Sequence, residues 1–539
     1  MRCVELIYAV RYDLLIAFLL PEAAAHVLSH ISHSSSHQDP PLQTHRVNET
    51  RKKSQPCTAF CYRTGALARK SQGTMTVGTA PKEELYFPKS EADIKNDTQS
   101  LVAVMGGLAV LAKGGSTISK TEASFLLWHH ALKSADGRRE ICSAGAVSSC
   151  LYVLDNRDCT QVERTSALGL LHALCREESN RESIVVWRSP VTQTFTAKVV
   201  VKFLSATDDC QASSMGILRM LLEKEETRKT VMSQIELPWK RVLRIIDDTS
   251  SHTIIADAAF AMRFAMAGKD DLKALFCKVG GIKVLLSAIR KIAFWKKASR
   301  DIVVEAITGL LYRLLEVQDS RMLCYENDGI TLLTSLLKIR TKAPGDEPMS
   351  QNDLQTKAYL VGCLWWIFQT SNVIAANDIV QEMNRQGGLK LIIQSLQEGM
   401  ALLGPADDGK KKKKKKKAKT KANPTAELLI KASTGCLRYL ACNDANKIII
   451  VGCMVVEILN GLAASSPSTK TRSNAHATLN LLAMLDGCYD YMVECGTSDT
   501  FLSLSQQPLP IPAKLKEDVM NNPQGADVDL LKRILYRKA

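Results

Sequence analysis

Eight copies of one apolar helical pattern recur along the sequence, and their spacing constrains the fold more than any other feature. A copy holds a small residue, two aliphatic residues, a variable residue and then more aliphatic residues, as in "GLLHALC" and "GLLYRLL". The eight variable residues, which we call the ladder residues, are His129, His172, Arg219, Phe264, Tyr312, Trp365, Arg438 and Asn480. The steps between them are 43, 47, 45, 48, 53, 73 and 42 residues. A period of roughly 40–47 residues is typical of paired or tripled helices that stack into a solenoid.

The two longest steps predict insertions between helices, because removing the extra residues restores the common period. The 53-residue step contains a Pro- and Asp-containing stretch at 340–353, and the 73-residue step contains a stretch at 398–425. The second insertion carries ten lysines, Lys410, Lys411, Lys412, Lys413, Lys414, Lys415, Lys416, Lys417, Lys419 and Lys421. Such a run of like charges repels itself and is not expected to fold.

Helical periodicity holds from about residue 90 to 503, without the alternating pattern of strands, and so predicts an all-α array. Residues 26–85 are polar, Ser- and His-rich and aperiodic, and together with the signal-like start they predict a disordered, low-complexity N-terminal region at 1–85. Residues 504–539 begin with closely spaced prolines, which exclude helix there. The end of this segment, Asp527–Lys538, predicts a short amphipathic helix that caps the array.

Four segments that follow the apolar copies resemble armadillo repeats: "REICSAGAVSSCLYVL", "KVGGIKVLLSAI", "ENDGITLLTSLL" and "RQGGLKLIIQSL". In that family a Gly-Gly segment joins the third helix to the next repeat. The resemblance covers roughly residues 100–500 and implies a right-handed α-solenoid of about eight repeats. It also implies a non-enzymatic role, because the third helices of armadillo repeats line a concave groove that holds an extended peptide or a partner helix.

The ladder residues differ from the asparagine ladder of β-catenin-like and importin-α-like armadillo proteins, because only Asn480 matches it. Long cations and aromatic rings replace the other asparagines, and these residue types anchor partner surfaces. The predicted groove residues are therefore His129, His172, Arg219, Tyr312, Trp365, Arg438 and Asn480. Phe264 and Trp365 are equally compatible with the core. Of the adjacent Trp365 and Trp366, only one can face the groove squarely.

The positive charge of the chain is concentrated outside the predicted array. The net charge is +15, of which the lysine run contributes +10 and residues 1–74 contribute +4, leaving about +1 for the remainder. The array itself therefore has no overall electrostatic signature of a nucleic-acid binder. The lysine run resembles a nuclear-localisation or polyanion-binding patch, and the alternative is a loop insertion with no role.

Cysteine usage favours a reducing compartment. None of the sixteen cysteines forms a CxxC pair, and eight of them lie in apolar helical sequence, as buried thiols do. We therefore expect a cytoplasmic protein, with the nucleus as a second site because of the lysine run. The apolar run within Asp13–Ala25 is signal-like, but Glu5 and Asp13 are acidic where a signal peptide is basic, so secretion is not expected.

The sequence predicts a scaffold or adaptor and no enzyme. Phosphate-binding, nucleotide-binding, zinc-protease and serine-hydrolase motifs are all missing from it, so no cofactor, metal or small-molecule substrate is expected. No apolar stretch is long enough to span a membrane. The predicted partner is a protein, with an acidic partner or polyanion at the lysine loop. The alternatives are a chaperone similar to the armadillo-type myosin chaperones, and polyanion binding or nuclear transport through the lysine loop.

Overall fold

The computed structural model describes residues 91–107, 119–206, 208–292, 297–340, 350–370, 373–403, 423–497 and 508–536. All the described residues belong to one compact unit. The predicted disordered region at 1–85 and the ten lysines lie outside the described residues. The domain boundaries drawn from the sequence stay predictions.

The described residues form 26 α-helices that repeat in groups of three. Helix α1 (Glu91–Met105) precedes the groups, and each group, or copy, starts with a long helix. The long helices are α2 (Lys120–Lys133), α5 (Gln161–Cys175), α8 (Asp208–Glu223), α11 (His252–Ala265), α14 (Lys297–Leu314), α17 (Gln351–Phe368), α20 (Pro424–Leu440) and α23 (Thr469–Leu482).

Two further helices complete each copy. The middle helices are α3 (Ala135–Ser143), α6 (Glu178–Val186), α9 (Glu225–Gln234), α12 (Asp270–Lys278), α15 (Gln318–Glu326), α18 (Val373–Arg385), α21 (Asp444–Gly452) and α24 (Asp486–Glu494). The last helices are α4 (Ala146–Asp155), α7 (Thr196–Lys202), α10 (Trp239–Asp248), α13 (Gly281–Ile292), α16 (Gly329–Arg340), α19 (Gly388–Leu403) and α22 (Val456–Ser465). The eighth copy, α23 and α24, is followed by α25 (Ala513–Asn521) and α26 (Val528–Tyr536).

Local sequence fixes where the long helices begin. Ser119 and Thr160 form capping boxes with Glu122 and Glu163, in which each side chain satisfies a backbone N–H at the start of the helix. Asn423 caps α20, whose first residue is Pro424. Proline suits this position because its missing N–H would have had no partner there.

The turn between the middle and last helices is left-handed in five copies. Its residue with positive φ is Gly145 (90°), Gly280 (89°), Asp328 (61°), Gly387 (70°) or Met454 (56°). Glycine adopts this conformation without strain, which explains its use in three of the five. The resemblance had placed these glycines after the third, groove-lining helix. In the structure they follow the middle helix instead, which corrects that placement.

Copy 2 has a longer reverse turn at 187–195, in which Gln193 is the residue with positive φ (56°). Arg188 and Phe195 form an isolated antiparallel bridge, and the Arg188 guanidinium lies 4.2 Å from the Phe195 ring centroid. Ser189 Oγ accepts hydrogen bonds from the Val191 and Thr192 backbone N–H groups. This bridge and a second isolated one, Leu485–Leu509, are the only β-type pairings among the described residues.

The long helices of successive copies pack directly against one another, from α2 to α23. Apolar side chains from all eight copies join in one continuous core, of which Leu171, Leu218, Leu310 and Leu437 are fully buried examples. This stacking confirms the predicted all-α solenoid. The handedness inferred from the resemblance stays a prediction.

The C-terminal helix α26 packs on the end of the array. Leu530, Leu531, Ile534 and Leu535 are buried, on α21 and α24. The Asp527 carboxylate caps the helix by accepting hydrogen bonds from the backbone N–H groups of residues 529 and 530. The Asp527 N–H donates to the Gly452 carbonyl oxygen over 3.0 Å. Helix α25 was not predicted from the sequence.

We expect deletion of residues 519–539 to lower the melting temperature by a few degrees. The deletion exposes apolar surface of copies 7 and 8, whereas the remaining copies keep their nearest-neighbour contacts. Circular dichroism melts of the full and shortened chains measure this. An unchanged melting temperature would show that α26 is dispensable for the array and free to bind a partner.

Candidate partner-binding face

All eight ladder residues lie in the C-terminal half of a long helix, so the sequence period marks the same structural position in every copy. In five copies a glycine precedes the ladder residue by three positions: Gly169, Gly216, Gly309, Gly362 and Gly435. Each of these glycines receives a large side chain from the long helix of the preceding copy. The ladder is therefore a stack in which large and minimal side chains alternate.

Three ladder residues fill these glycine sites themselves. A Cβ on Gly216 would lie 2.6 Å from His172 Nε2, a Cβ on Gly362 would lie 2.6 Å from the Tyr312 ring, and a Cβ on Gly435 would lie 2.2 Å from Trp365 Nε1. Real Cβ atoms do not approach side chains this closely, so the close packing of the long helices depends on glycine at these sites.

In two copies the residue just before the ladder residue fills the glycine site. A Cβ on Gly169 would lie 2.7 Å from the Trp128 ring, and one on Gly309 would lie 2.6 Å from an Arg263 guanidinium nitrogen. His129 is consequently exposed, and Phe264 is half-buried against Phe260, with ring centroids 6.3 Å apart.

The packing corrects two of the predicted groove residues. Tyr312 is 8% exposed and Trp365 is 3% exposed, so neither offers a partner appreciable surface. Each is drawn inward because the glycine on the next long helix leaves room for its ring. Trp366 is the more exposed member of the adjacent pair, and the two rings stack 5.4 Å apart.

Arg219 is half-buried and already paired. Its guanidinium donates to Asp257 Oδ1 on the next long helix over 2.7 Å and lies 4.7 Å from the Phe260 ring centroid. Burial raises the pKa of Asp257, and the Arg219 hydrogen bond opposes that rise. Arg219 therefore connects copies 3 and 4.

Arg263 connects three copies. Its guanidinium passes over Gly309 of copy 5 and donates to the Tyr359 hydroxyl of copy 6 over 3.2 Å. The rings of Phe260, Phe264 and Tyr359 lie 5.1, 5.1 and 5.4 Å from it, within the range of cation–π contacts. No carboxylate among the described residues lies within 4 Å of this guanidinium.

Glu305 supplies a carboxylate beside these arginines. Its side chain is half-buried on α14, one helical heptad before Tyr312. Burial raises the pKa of Glu305, and the charges of Arg263 and Arg219 oppose that rise. The middle of the array therefore has balanced charge, with two guanidinium groups beside Asp257 and Glu305.

Other carboxylates at the ends of the long helices are occupied by cations of the preceding middle helix. Arg181 pairs with Glu223 over 2.7 Å, and Lys273 pairs with Glu316. Arg321 makes the equivalent contact in the next copy by donating to the Gln369 carbonyl oxygen over 2.7 Å. These contacts join neighbouring copies and leave the carboxylates unavailable to a partner.

Copy 7 is different because the two cations of its long helix, Lys431 and Arg438, have no ion-pair partner among the described residues. Lys431 Nζ lies 5.5 Å from the Trp365 ring centroid, and the Arg438 guanidinium lies 5.9 Å from that of Tyr439. Among the described residues no carboxylate lies within 4 Å of either cation. Asn480, in copy 8, makes a side-chain contact of 3.3 Å with His476.

The half-exposed side chains of the long helices form what we call the long-helix face: Arg219, Arg263, Phe264, Glu305, Tyr359, Trp366, Lys431, Arg438, Tyr439, His476 and Asn480. Arg219, Arg438 and Asn480 are among the groove residues predicted from the sequence, and their role in binding stays a prediction. Most of the others were not predicted. A signal was available for Lys431 and Glu305, because each precedes a ladder residue by seven positions and so shares its side of the helix.

His172 makes the stability of the array depend on pH. Burial, with the nearby charges of Arg176 and Arg219, lowers the pKa of His172 from 6.5 to about 4. A lowered pKa means that the neutral ring is favoured in the folded state, so its stabilisation is complete above pH 6.5 and is lost as the pH falls towards 4.

We expect the free energy of unfolding to fall by about 2 kcal/mol across this range, a figure reduced because the ring is partly open to solvent. His172→Gln should remove that fraction of the pH dependence. Urea unfolding of the wild type and this variant from pH 7.5 to 4 measures the change, and an unaltered pH profile in His172→Gln would contradict the assignment.

The remaining chemistry of the described residues is sparse. They contain no group of three His, Cys, Asp or Glu side chains placed to hold a metal ion, and their thirteen cysteines are free thiols. No single described helix is long and apolar enough to span a membrane. Helices α21 and α22 are long and apolar enough only when they are taken together, and the pair is bent by 91° at the break between them.

Comparison with known proteins leaves the family of the chain open. No family model matches it, and no curated protein matches it. Three crystal structures of engineered proteins from the Northeast Structural Genomics Consortium are similar, at 15%, 18% and 14% identity with TM-scores of 0.48, 0.36 and 0.37. They cover 84%, 49% and 49% of this chain, and 95%, 96% and 98% of their own. Such distant likenesses add nothing to what the helices of this chain show, and the armadillo assignment stays a resemblance.

Proposed function

We propose that this protein is a non-enzymatic scaffold that binds an extended or helical segment of a partner protein along the long-helix face. The supporting observation is a continuous series of contacts across five copies. The guanidinium groups of Arg219 and Arg263 both contact the Phe260 ring, and Arg263 also contacts the Tyr359 ring. Tyr359 packs on Tyr312, which packs on Trp366. Trp366 stacks on Trp365, and the Lys431 ammonium lies over Trp365.

Rigid aromatic rings and guanidinium groups are the residue types that dominate binding energy at protein interfaces. Their mutual stacking holds them in place before a partner arrives, which lowers the conformational entropy lost on binding. The face is elongated, because it extends over successive helices about 10 Å apart, and so suits a chain segment better than a small molecule.

Selection of peptides tests this proposal. Random peptides of about fifteen residues are displayed on phage and selected on the immobilised full chain. Their affinities are then measured by fluorescence anisotropy for the wild type and for Arg263→Gln/Arg438→Gln/Asn480→Ala. We expect the dissociation constant to rise at least about tenfold in the triple variant, because each lost polar anchor contributes about 1 kcal/mol or more.

The matched control is Lys240→Gln/Arg244→Gln/Lys338→Gln, which changes three exposed side chains on the last helices α10 and α16. Circular dichroism melts confirm that both variants fold. Equal binding by the two variants, or failure to select any peptide, would contradict the proposed face. If the chain suppresses aggregation of unfolded clients without selecting particular peptides, the myosin-chaperone-like alternative is favoured.

The lysine loop is a second candidate, because it holds most of the net charge of the chain. We expect deletion of residues 409–422 to reduce retention on heparin and to weaken nuclear accumulation, while helicity is unchanged. A shorter connection between α19 and α20 costs little loop-closure entropy. Heparin elution across a salt series and fluorescent fusions measure these effects. Identical elution and distribution of the two chains would show that the loop has neither role.

A further inference from the structure

We infer that the C-terminal part of the long-helix face, on copies 6 to 8, recognises an acidic segment of the partner. This inference rests on the proposed function and identifies the chemistry of the partner. It centres on Lys431 and Arg438, which lie seven residues apart on α20 and so project from the same side of that helix.

Charge is the first argument. The long helices α17, α20 and α23 contain only two carboxylates, Asp353 and Glu427, both in a first turn. Asp353 is already paired with Arg340. Glu427 precedes Lys431 by one helical turn, but neither Lys431 nor Arg438 has a carboxylate within 4 Å among the described residues. Uncompensated cations at a binding surface are complemented by anionic partner groups.

Preorganisation is the second argument. Gly435 lies between the two cations on α20 and receives the indole of Trp365 from copy 6. The Lys431 ammonium lies over that indole. Tyr439 stacks on the buried ring of Phe368, with centroids 6.0 Å apart and planes within 4°, and Arg438 lies beside it. Both cations are thus held against rings that are themselves fixed by packing.

The spacing of the cations gives the spacing of the partner's carboxylates. Seven residues of α-helix rise about 10 Å, and an extended chain covers that distance in about three residues. Where it passes copy 7, the favoured ligand is an extended segment that runs along α20 and carries Asp or Glu three positions apart. The middle of the long-helix face lacks this preference, because Asp257 and Glu305 balance Arg219 and Arg263.

Fluorescence anisotropy with three labelled peptides tests the inference. One peptide of about fourteen residues has Glu at every third position, the second has Gln there, and the third has Lys. We expect the full-length protein to bind the Glu peptide at least about tenfold more tightly than the Gln peptide, and the preference to decline with added salt. Lys431→Gln/Arg438→Gln should abolish the preference, whereas Lys240→Gln/Arg244→Gln, with the same change of charge, should retain it.

Ten lysines in one loop would attract acidic peptides by charge alone, so the same measurements are made on a full chain whose ten loop lysines are replaced by glutamine. A preference for the Glu peptide that survives in this chain and disappears in Lys431→Gln/Arg438→Gln supports the inference. Loss of the preference in the loop variant alone would overturn it. Heparin or single-stranded DNA that binds through Lys431 and Arg438 more tightly than the Glu peptide would also overturn it, in favour of a polyanion site.

The outcomes separate this inference from the proposed function. If the Gln or Lys peptide binds as tightly as the Glu peptide, and changes on the long-helix face weaken that binding, the acidic preference is wrong and the scaffold proposal stands. If no peptide binds, or if no substitution on the long-helix face alters the affinity for the peptides, the scaffold proposal itself fails. Melting curves of each variant exclude misfolding as the cause.

Discussion

We expect Gly435→Ala to lower the free energy of unfolding by about 3 kcal/mol, because the added methyl group cannot coexist with the Trp365 indole. The new Cβ would lie 2.2 Å from Nε1 and 2.5 Å from Cδ1 of that ring. Trp365 is 3% exposed and stacked on Trp366, so it has no free space to move into. Overpacking of this kind outweighs the gain of about 1 kcal/mol that alanine normally brings to a helix.

Gly461→Ala is the matched control. Gly461 lies within α22, and a Cβ there meets nothing within 4 Å. We expect this variant to gain up to about 1 kcal/mol from helix propensity alone. Denaturant unfolding of both variants measures the difference, and a stabilising Gly435→Ala would refute the tight stacking of the ladder.

A double-mutant cycle locates the clash. In a Trp365→Leu background the smaller side chain leaves room for a methyl group, so Gly435→Ala should cost much less than in the wild type. Equal costs in the two backgrounds would place the clash elsewhere.

The second large effect concerns a buried ion pair in copy 6. The Lys357 side chain is 0% exposed on α17, and its ammonium pairs with Glu398 of α19, which is 30% exposed. Removing one partner of such a pair leaves an uncompensated buried charge, whereas replacing the charge with an apolar group of similar size costs little. We expect Glu398→Gln to lower the free energy of unfolding by about 3 kcal/mol and Lys357→Met to leave it nearly unchanged or higher.

The pH dependence gives an independent check on this pair. Burial lowers the pKa of Lys357 from 10.5, and the Glu398 contacts oppose that shift. Without Glu398 the pKa falls further, so the unfolded chain binds the proton more readily and stability rises with pH. The decrease in the free energy of unfolding caused by Glu398→Gln should therefore become smaller as the pH rises towards 10.5.

The exposed pair Lys229–Glu225 is the control for the buried pair, and Glu225→Gln should have no measurable effect on the free energy of unfolding. A destabilised Lys357→Met would show that the pair stabilises the fold.

The repeat period predicted the fold because most copies meet the same local requirements. Seven of the eight have a glycine or alanine three positions before the ladder residue, and five long helices begin at a capping side chain. Each of these features has a local physical cause. Every predicted ladder residue was found on a long helix for this reason. Helix α25 and the reverse turn at 187–195 were missed, because each interrupts the period instead of repeating it.

Burial of individual ladder residues was harder to predict, because it depends on the neighbouring copy. Tyr312 and Trp365 are buried because Gly362 and Gly435, about 50 and 70 residues later, leave room for their rings. Arg263 was missed for the same reason, since Gly309 and Tyr359 determine its position. Pairing each ladder residue with the glycine of the following copy would have identified Tyr312 and Trp365 as buried, but not Arg263, which precedes its ladder residue by one position.

Hydrogen–deuterium exchange with a selected peptide tests most directly whether the protein acts through the long-helix face. We predict that the bound peptide slows exchange in the C-terminal halves of the long helices, above all α17 and α20, and leaves the middle and last helices unchanged. Protection confined to the middle or last helices, or to the reverse turn at 187–195, would contradict the account.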